Sequence, residues 1–232
     1  GLVELMSNHA EALAGAPPAR DAEALRSWRT KTSADTWRPV RKRFDDAGIT
    51  LRFLCYNMNV KTFSDADIEY GFTMAKELGV NLISTSTQVS MARRVAPFAE
   101  RYRTTVAYHG HANLSDPDEV ATPQSFAACL AHSRYHAINL DIGHFTAANN
   151  DAVAYIREHH HQITNLHLKD RKKNQGDNVA WGTGDTPIRE VLQLLKKERW
   201  PIRAYIEYEH KGEVGAVEEV KKCLAFARSA LA

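Results

Sequence analysis

Seven short, mostly apolar segments alternate with stretches of helical periodicity from one end of the chain to the other. The segments expected to be strands are residues 2–6, 51–57, 81–87, 104–109, 137–141, 163–168 and 204–208. Apolar strands of this length are typical of a sheet that is covered on both faces. Because strands and helices alternate, the connections are expected to be right-handed crossovers between parallel strands.

This alternation predicts an α/β fold of the (β/α)8 TIM-barrel type, with a single domain over residues 1–232. A closed barrel of this type has eight strands. We therefore expect the first strand–helix unit to precede Gly1 and to be missing from this chain. Helices are predicted over residues 21–47, with a break at Pro39, over 65–78, over 187–197 with Thr186 as N-cap, and over 217–231.

Composition excludes several classes of function. Hydrophobic content of 44% and charged content of 25% are typical of a globular domain. A net charge of +2 gives no reason to expect nucleic acid as a partner, and no apolar run approaches the roughly 18 residues of a membrane span. Three scattered cysteines are expected to be buried thiols outside any disulfide. The compartment stays open: cytoplasmic, or periplasmic or secreted after loss of an N-terminal segment.

Four of the apolar runs close on residue types that bind metals. They lie at 104–111, 137–144, 163–170 and 203–210, with the sequences TTVAYHGH, AINLDIGH, ITNLHLKD and RAYIEYEH. In a parallel barrel, the carboxyl ends of all strands meet at one face. The four endings therefore predict a shared metal centre.

Individual residues can be placed within these runs. Asp141 and His144 leave a buried strand together, and His167 alternates with apolar neighbours. Glu207 is flanked by Ile206 and Tyr208, and a buried carboxylate needs a cation. Glu209 is the alternative to Glu207 at this position.

Further residues are candidates for contacts with a substrate. His109 and His111 face the same side of a strand, so one is expected to bind the metal and the other the substrate. Tyr108 and Trp181 are candidates for stacking on a sugar ring. The basic run at 171–173 is interpreted as solvated loop charge rather than a phosphate site.

The segments LDIGH, NLHLKD, WGTGD and YIEYE together resemble the xylose isomerase-like barrels, the group of sugar phosphate isomerases and epimerases. The resemblance implies a divalent ion held by Asp141, His167 and Glu207, with His144 near substrate or metal. The family places a Glu where this chain has His109. Two imidazoles favour manganese, zinc or cobalt over magnesium.

These residues favour a metal-dependent isomerase or epimerase that acts on a sugar or keto-sugar through an enediolate. The ion would be held by His109, Asp141, His167 and Glu207. Glu207 or His109 would be the base, Lys169 would stabilise an oxyanion, and His144 and His111 would orient hydroxyls. Because this chain has His109 where the family places a Glu, two alternatives stay open. One is a 3-keto-glycoside lyase or hydratase, and the other is a non-catalytic sugar-binding barrel. A nuclease of the apurinic type is disfavoured by the charge. The oligomeric state is not readable.

Overall fold

The computed structural model describes all of residues 1–232, and its strands lie where the sequence predicts them, apart from two short additional ones. They are β1 (Leu2–Met6), β2 (Thr50–Cys55), β3 (Leu82–Thr85), β4 (Thr105–His109), β5 (His136–Asp141), β6 (Ile163–Leu168), β7 (Asp170–Arg171), β8 (Asn178–Val179) and β9 (Arg203–Ile206). The additional strands, β7 and β8, pair with each other in antiparallel fashion. β5 is buried at every residue, whereas β1 and β9 are partly exposed, which departs from the expectation of strands covered on both faces.

Ten α-helices occupy the connections. They are α1 (Ser7–Leu13), α2 (Ala22–Lys31), α3 (Arg38–Asp46), α4 (Asp65–Glu77), α5 (Met91–Tyr102), α6 (Pro123–Leu130), α7 (Ile142–Ala147), α8 (Ala152–His159), α9 (Ile188–Glu198) and α10 (Ala216–Leu231). None of them combines the length and apolar character needed to cross a bilayer.

Two local predictions about helices need correction. The stretch 21–47 does form two helices, but the break lies at a 3-10 turn (Ala34–Thr36), and Pro39 falls in the first turn of α3. Proline is favourable there because the backbone N–H groups in the first turn of a helix have no acceptor within the helix, so no hydrogen bond is lost. Thr186 is not the N-cap of α9, since its hydroxyl instead accepts a hydrogen bond from the backbone N–H of Arg171 at 3.0 Å.

The chain divides into two compact units, one of Gly1–Ala107 with His132–His136 and one of Tyr108–Ala131 with Ala137–Ala232. In the first unit, β1, β2 and β3 are parallel neighbours, with Leu5 opposite Leu54 and Leu54 opposite Ile83. Its helices are tied by the buried carboxylate of Glu11, which accepts hydrogen bonds from Arg29 Nε (2.7 Å) and the Tyr70 hydroxyl (2.9 Å). The prediction of a single domain stays a prediction.

In the second unit, β5, β6 and β9 are parallel neighbours in that order. Asp141 is the register partner of His167, and Leu168 is the partner of Ile206. The backbone N–H of Glu207 then donates to Leu168 O at 3.0 Å, which continues the ladder one residue past β9. This register carries three polar side chains to the carboxyl ends of adjacent strands. The cysteines form no disulfide, and Cys129 and Cys223 are buried while Cys55 is half-buried.

Candidate metal centre

Four side chains from four strand ends of the second unit lie together. They belong to His109, Asp141, His167 and Glu207, and each offers one ligand atom within 4.8 Å of the others. Two imidazoles and two carboxylates form a nitrogen and oxygen donor set that suits first-row transition metals. These are the four residues that the sequence analysis named as ligands.

Asp141 divides its two carboxylate oxygens between the fold and this cluster. Oδ1 accepts a hydrogen bond from the backbone N–H of His144 at 2.7 Å and so caps α7. Oδ2 is buried without a hydrogen bond, and the ammonium of Lys169 lies at ion-pair distance, 3.0 Å away. The N-cap therefore fixes the orientation in which Oδ2 faces the cluster.

His167 is held on both sides of its ring. Nδ1 lies 2.9 Å from Glu207 Oε2, and Nε2 lies 3.3 Å from the side-chain amide of Asn139. Asn139 is fully buried on the same face of β5 as Asp141, two residues earlier. Outer contacts of this kind orient metal-binding histidines. Asn139 was missed in the sequence, although a polar residue inside an otherwise apolar strand was the available signal.

His109 is buried at the end of β4, and it supplies the clearest test of whether the residues fit a metal. Its Nδ1 is buried with no hydrogen-bond partner, and its Nε2 lies 3.9 Å from Asp141 Oδ2. Burial, together with the neighbouring His167, holds the pKa of His109 well below its usual value. Nε2 of this neutral imidazole and Oδ2 of Asp141 are a nitrogen and an oxygen donor at a separation that fits a shared bound cation.

Lys169 places an ammonium group against the same carboxylates. The side chain is 2% exposed, and Nζ lies 3.1 Å from Glu207 Oε2 and 2.5 Å from Glu209 Oε2, in addition to Asp141. The side chain runs directly past the backbone of Gly143, where an added Cβ would lie 2.3 Å from Lys169 Cγ and 2.8 Å from its carbonyl oxygen. The Gly of the LDIGH segment is therefore required by the path of Lys169.

The protonation states follow from burial and charge. Burial raises the pKa of Asp141 to about 7, and Lys169 opposes this only in part. Burial also acts to raise the pKa of Glu207, but the hydrogen bond and charge of His167 outweigh it and hold that pKa below its usual value. Burial would lower the pKa of Lys169, but Asp141 and Glu207 reverse the effect and raise it to about 12. Glu207 is therefore ionised and Lys169 protonated near neutral pH.

His144 lies between two cationic side chains. Its Nδ1 is 2.6 Å from Arg171 Nη1, and its Nε2 is 3.0 Å from Lys169 Nζ. Burial and the charge of Lys169 lower the pKa of His144 to about 2, so the ring is neutral. Arg171 and the protonated Lys169 can only donate, so each ring nitrogen of His144 faces a donor. Arg171 also donates to Gly176 O, so the expectation of a solvated charge is wrong for this residue of the basic run.

His111 is partly exposed, and Glu119 orients it. Its Nδ1 lies 2.8 Å from Glu119 Oε1, and its ring centroid lies 5.0 Å from that of His109 and 5.2 Å from that of His144. These three histidines are close enough to be considered a second cation site. Both ring nitrogens of His144 already face cations, however, which would repel a metal ion.

The two aromatic residues predicted to stack on a sugar have different outcomes. Tyr108 is 0% exposed, because alternation along β4 points it away from the face of His109, and its stacking role is wrong. Trp181 is partly exposed and packs edge-to-face on Phe226 of α10, with ring centroids 5.9 Å apart. Its contact with a substrate stays a prediction.

Asp170 and His210 each end one of the four apolar runs, but they contact a loop and a helix rather than the four-residue cluster. Asp170 Oδ2 accepts hydrogen bonds from the backbone N–H groups of Gly182 (2.7 Å) and Gly184 (3.0 Å), and Oδ1 accepts one from Thr186 (3.2 Å). An added Cβ at Gly184 would lie 1.9 Å from Asp170 Oδ1, which explains the second glycine of the WGTGD loop. His210 Nε2 lies 3.3 Å from Glu219 Oε2 in α10.

Comparison with known families matches residues 22–230 to the xylose isomerase-like TIM barrel family. The chain belongs to this family. The match confirms the TIM-barrel fold and the resemblance inferred from the sequence. No curated protein matches the sequence.

Several solved structures are similar in fold to this xylose isomerase-like barrel. The IOLI protein with a bound zinc atom is 15% identical with a TM-score of 0.68, over 99% of this chain and 87% of that chain. The 3-keto-D-glucoside 4-epimerase YcjR from E. coli is 12% identical with a TM-score of 0.66, over 95% and 87%. The probable 3-DHS dehydratase AsbF from Bacillus anthracis is 14% identical with a TM-score of 0.68, over 98% and 88%. At these identities the likeness shows the fold alone.

Proposed function

We propose that this chain is a divalent-metal-dependent isomerase or epimerase that acts on a small sugar or keto-sugar through an enediolate. The observation that carries the proposal is the convergence of His109, Asp141, His167 and Glu207 within 4.8 Å. Family membership and the zinc atom bound by the IOLI protein, a barrel of the same fold, support metal binding by this chain. Manganese, zinc and cobalt are the candidates, because the donor set holds two imidazoles.

A divalent ion held by these four residues would act as a Lewis acid on a carbonyl and its neighbouring hydroxyl. The remaining chemistry belongs to the protein. A base removes the proton from the carbon beside the carbonyl, the electron pair moves onto the carbonyl oxygen, and a proton returns to the neighbouring carbon or to the opposite face. Glu207 is ionised and His109 is neutral, so each has the lone pair that a base needs.

Lys169 and His144 are the groups proposed to interact with the oxygen atoms of the substrate. Lys169 keeps its proton near neutral pH and presents a positive charge beside the cluster. His144 is a neutral ring held by Arg171 and Lys169, which places it beside the cluster to orient a substrate hydroxyl. The partly exposed ring of His111, held by Glu119, is placed to orient a hydroxyl.

A second candidate function is a lyase or hydratase that acts on a 3-keto-glycoside. The observation that favours it is His109, a neutral imidazole where the epimerases of this family are expected to have a glutamate. A site that has one imidazole and one carboxylate in place of two carboxylates suits removal of one proton followed by loss of a substituent. Such an elimination needs no second carboxylate base on the opposite face of the reacting carbon. AsbF, described as a probable dehydratase, shows that a barrel of this fold has been assigned such chemistry.

The test is proton NMR in D2O with metal-loaded protein, ketohexoses and 3-keto-glycosides as substrates. Deuterium uptake at the carbon beside the carbonyl, with a new sugar isomer, supports the isomerase. Release of the aglycone supports the lyase. Neither uptake nor release, in protein that elemental analysis shows to hold metal, would contradict both and favour a binding barrel.

A further inference from the structure

Lys169 occupies the position where a cation would be expected. Its Nζ lies 3.0 Å from Asp141 Oδ2 and 3.1 Å from Glu207 Oε2, and both residues belong to the proposed ligand set. The side chain is nearly fully buried, so no water layer separates the ammonium from these carboxylates. We infer that Lys169 competes with the divalent ion for Asp141 and Glu207 and thereby sets the affinity of this protein for its metal. This inference rests on the proposed function, since it concerns the same metal centre.

The charges of the site support competition. When the site holds a metal, its negative charge comes from Asp141 and Glu207, because histidine ligands bind metal in the neutral form. The ammonium beside these two carboxylates offsets part of that charge and weakens the net attraction for a divalent ion. Two cations also repel each other strongly inside a protein, where the effective dielectric constant is low. The ion therefore binds well only if Nζ moves away from Asp141 and Glu207.

Glu209 provides the place to which Nζ can withdraw. Its carboxylate lies 2.5 Å from Nζ and is not part of the four-residue cluster. Its side chain is 42% exposed, so it lies toward solvent from the buried Asp141. The contact between Lys169 Cγ and the backbone of Gly143 restrains the stem of the lysine. Only the end of the side chain is left to move, from a site shared by three carboxylates to one held by Glu209 alone.

The experiment measures metal affinity by isothermal titration calorimetry, with zinc and with manganese, for the wild type and Lys169→Met. Methionine is an unbranched side chain one atom shorter than lysine, and it removes the charge. We expect Lys169→Met to bind each metal more tightly, by on the order of tenfold or more. Lys169→Arg keeps the charge and is expected to stay near or below the wild-type affinity. Lys173→Met removes an exposed positive charge from the following loop and is the matched control, with unchanged affinity expected.

A second measurement does not depend on whether Lys169→Met folds. In ¹⁵N-labelled wild-type protein, the ammonium resonance of a buried lysine can be followed during a zinc titration, and we expect that of Lys169 to shift as the site fills. Equal or weaker metal binding by Lys169→Met, or a resonance unmoved by saturating zinc, would overturn the inference while leaving the metal site intact. No metal bound by either protein would overturn the metal site of the proposed function as well.

Discussion

Asp141 and His167 are direct register partners on neighbouring parallel strands, and both side chains belong to one cluster. Parallel pairing fixes this relationship, because residues at equal height on adjacent strands share a face. The site is therefore built into the sheet of the second unit and does not depend on flexible loops for its two central residues. Its rigidity underlies the expected outcomes of the substitutions below.

Asp141→Asn is expected to abolish tight metal binding without unfolding the protein. Asn keeps an oxygen that can cap α7, but it removes the negative charge that faces the cluster. Loss of affinity should exceed the roughly 10–100-fold that follows loss of an outer contact. Calorimetry with manganese gives the measurement. The matched control is Asp151→Asn, which alters an equivalent N-cap at α8 (Ala154 N–H to Oδ1, 2.9 Å) and should leave the affinity unchanged.

Asn139→Ala tests the outer contact of His167. Without the amide, the ring of His167 loses its contact at Nε2 while the contact of Nδ1 with Glu207 remains, so its orientation is less restricted. We expect metal affinity to fall by roughly 10–100-fold. Asn139→Asp introduces a carboxylate that can accept a hydrogen bond from Nε2 of His167. If Asn139→Ala binds metal as tightly as the wild type, the amide has no part in orienting the ring.

Gly143→Ala is expected to destabilise the fold, because the new Cβ would collide with the side chain and backbone of Lys169. Overpacking of this kind costs about 1–3 kcal/mol. Urea denaturation followed by circular dichroism measures the change. Gly215→Ala is the control, since Gly215 has an ordinary φ of −64° and no atom within 4 Å of an added Cβ. Equal stability of the two variants would contradict the close approach.

Asp170→Ala is expected to loosen the WGTGD loop. Three backbone N–H groups, those of Gly182, Gly184 and Thr186, lose their acceptor. Stability should fall by about 1–3 kcal/mol per buried donor left unsatisfied, and less where water can reach the group. Hydrogen exchange by mass spectrometry should show faster exchange over residues 181–186. Unchanged exchange there would mean that Asp170 does not hold the loop.

Metal affinity is expected to decrease as the pH is lowered. Burial raises the pKa of Asp141 to about 7 in the absence of metal, so below pH 7 its carboxyl holds a proton that must leave before metal binds. Affinity should therefore decrease on acidification by roughly tenfold per pH unit for this one proton. Manganese titrations between pH 5.5 and 8 test this. Glu207 adds nothing in this window, because its pKa is held below the usual range.

From the sequence alone one can infer the alternation of strands and helices, and with it the barrel type and the four residues that converge. Strand periodicity and apolar runs depend on local composition, and parallel strands bring their carboxyl ends to one face whatever the details of packing. His109, Asp141, His167 and Glu207 could therefore be named before their distances were known. Glu209 lies two residues beyond Glu207 on the same face, so the sequence left it open as an alternative, and the cluster within 4.8 Å contains Glu207.

The partners of the remaining polar groups depend on how the folded chain packs. Lys169 extends to three carboxylates only because Gly143 leaves room beside it, and these residues come from different elements. Asp170 accepts a hydrogen bond from Gly182, which lies 12 residues later, and Tyr108 turns into the core. Hydrogen-bond partners distant in sequence depend on packing, and packing is not encoded in the pattern of any one segment.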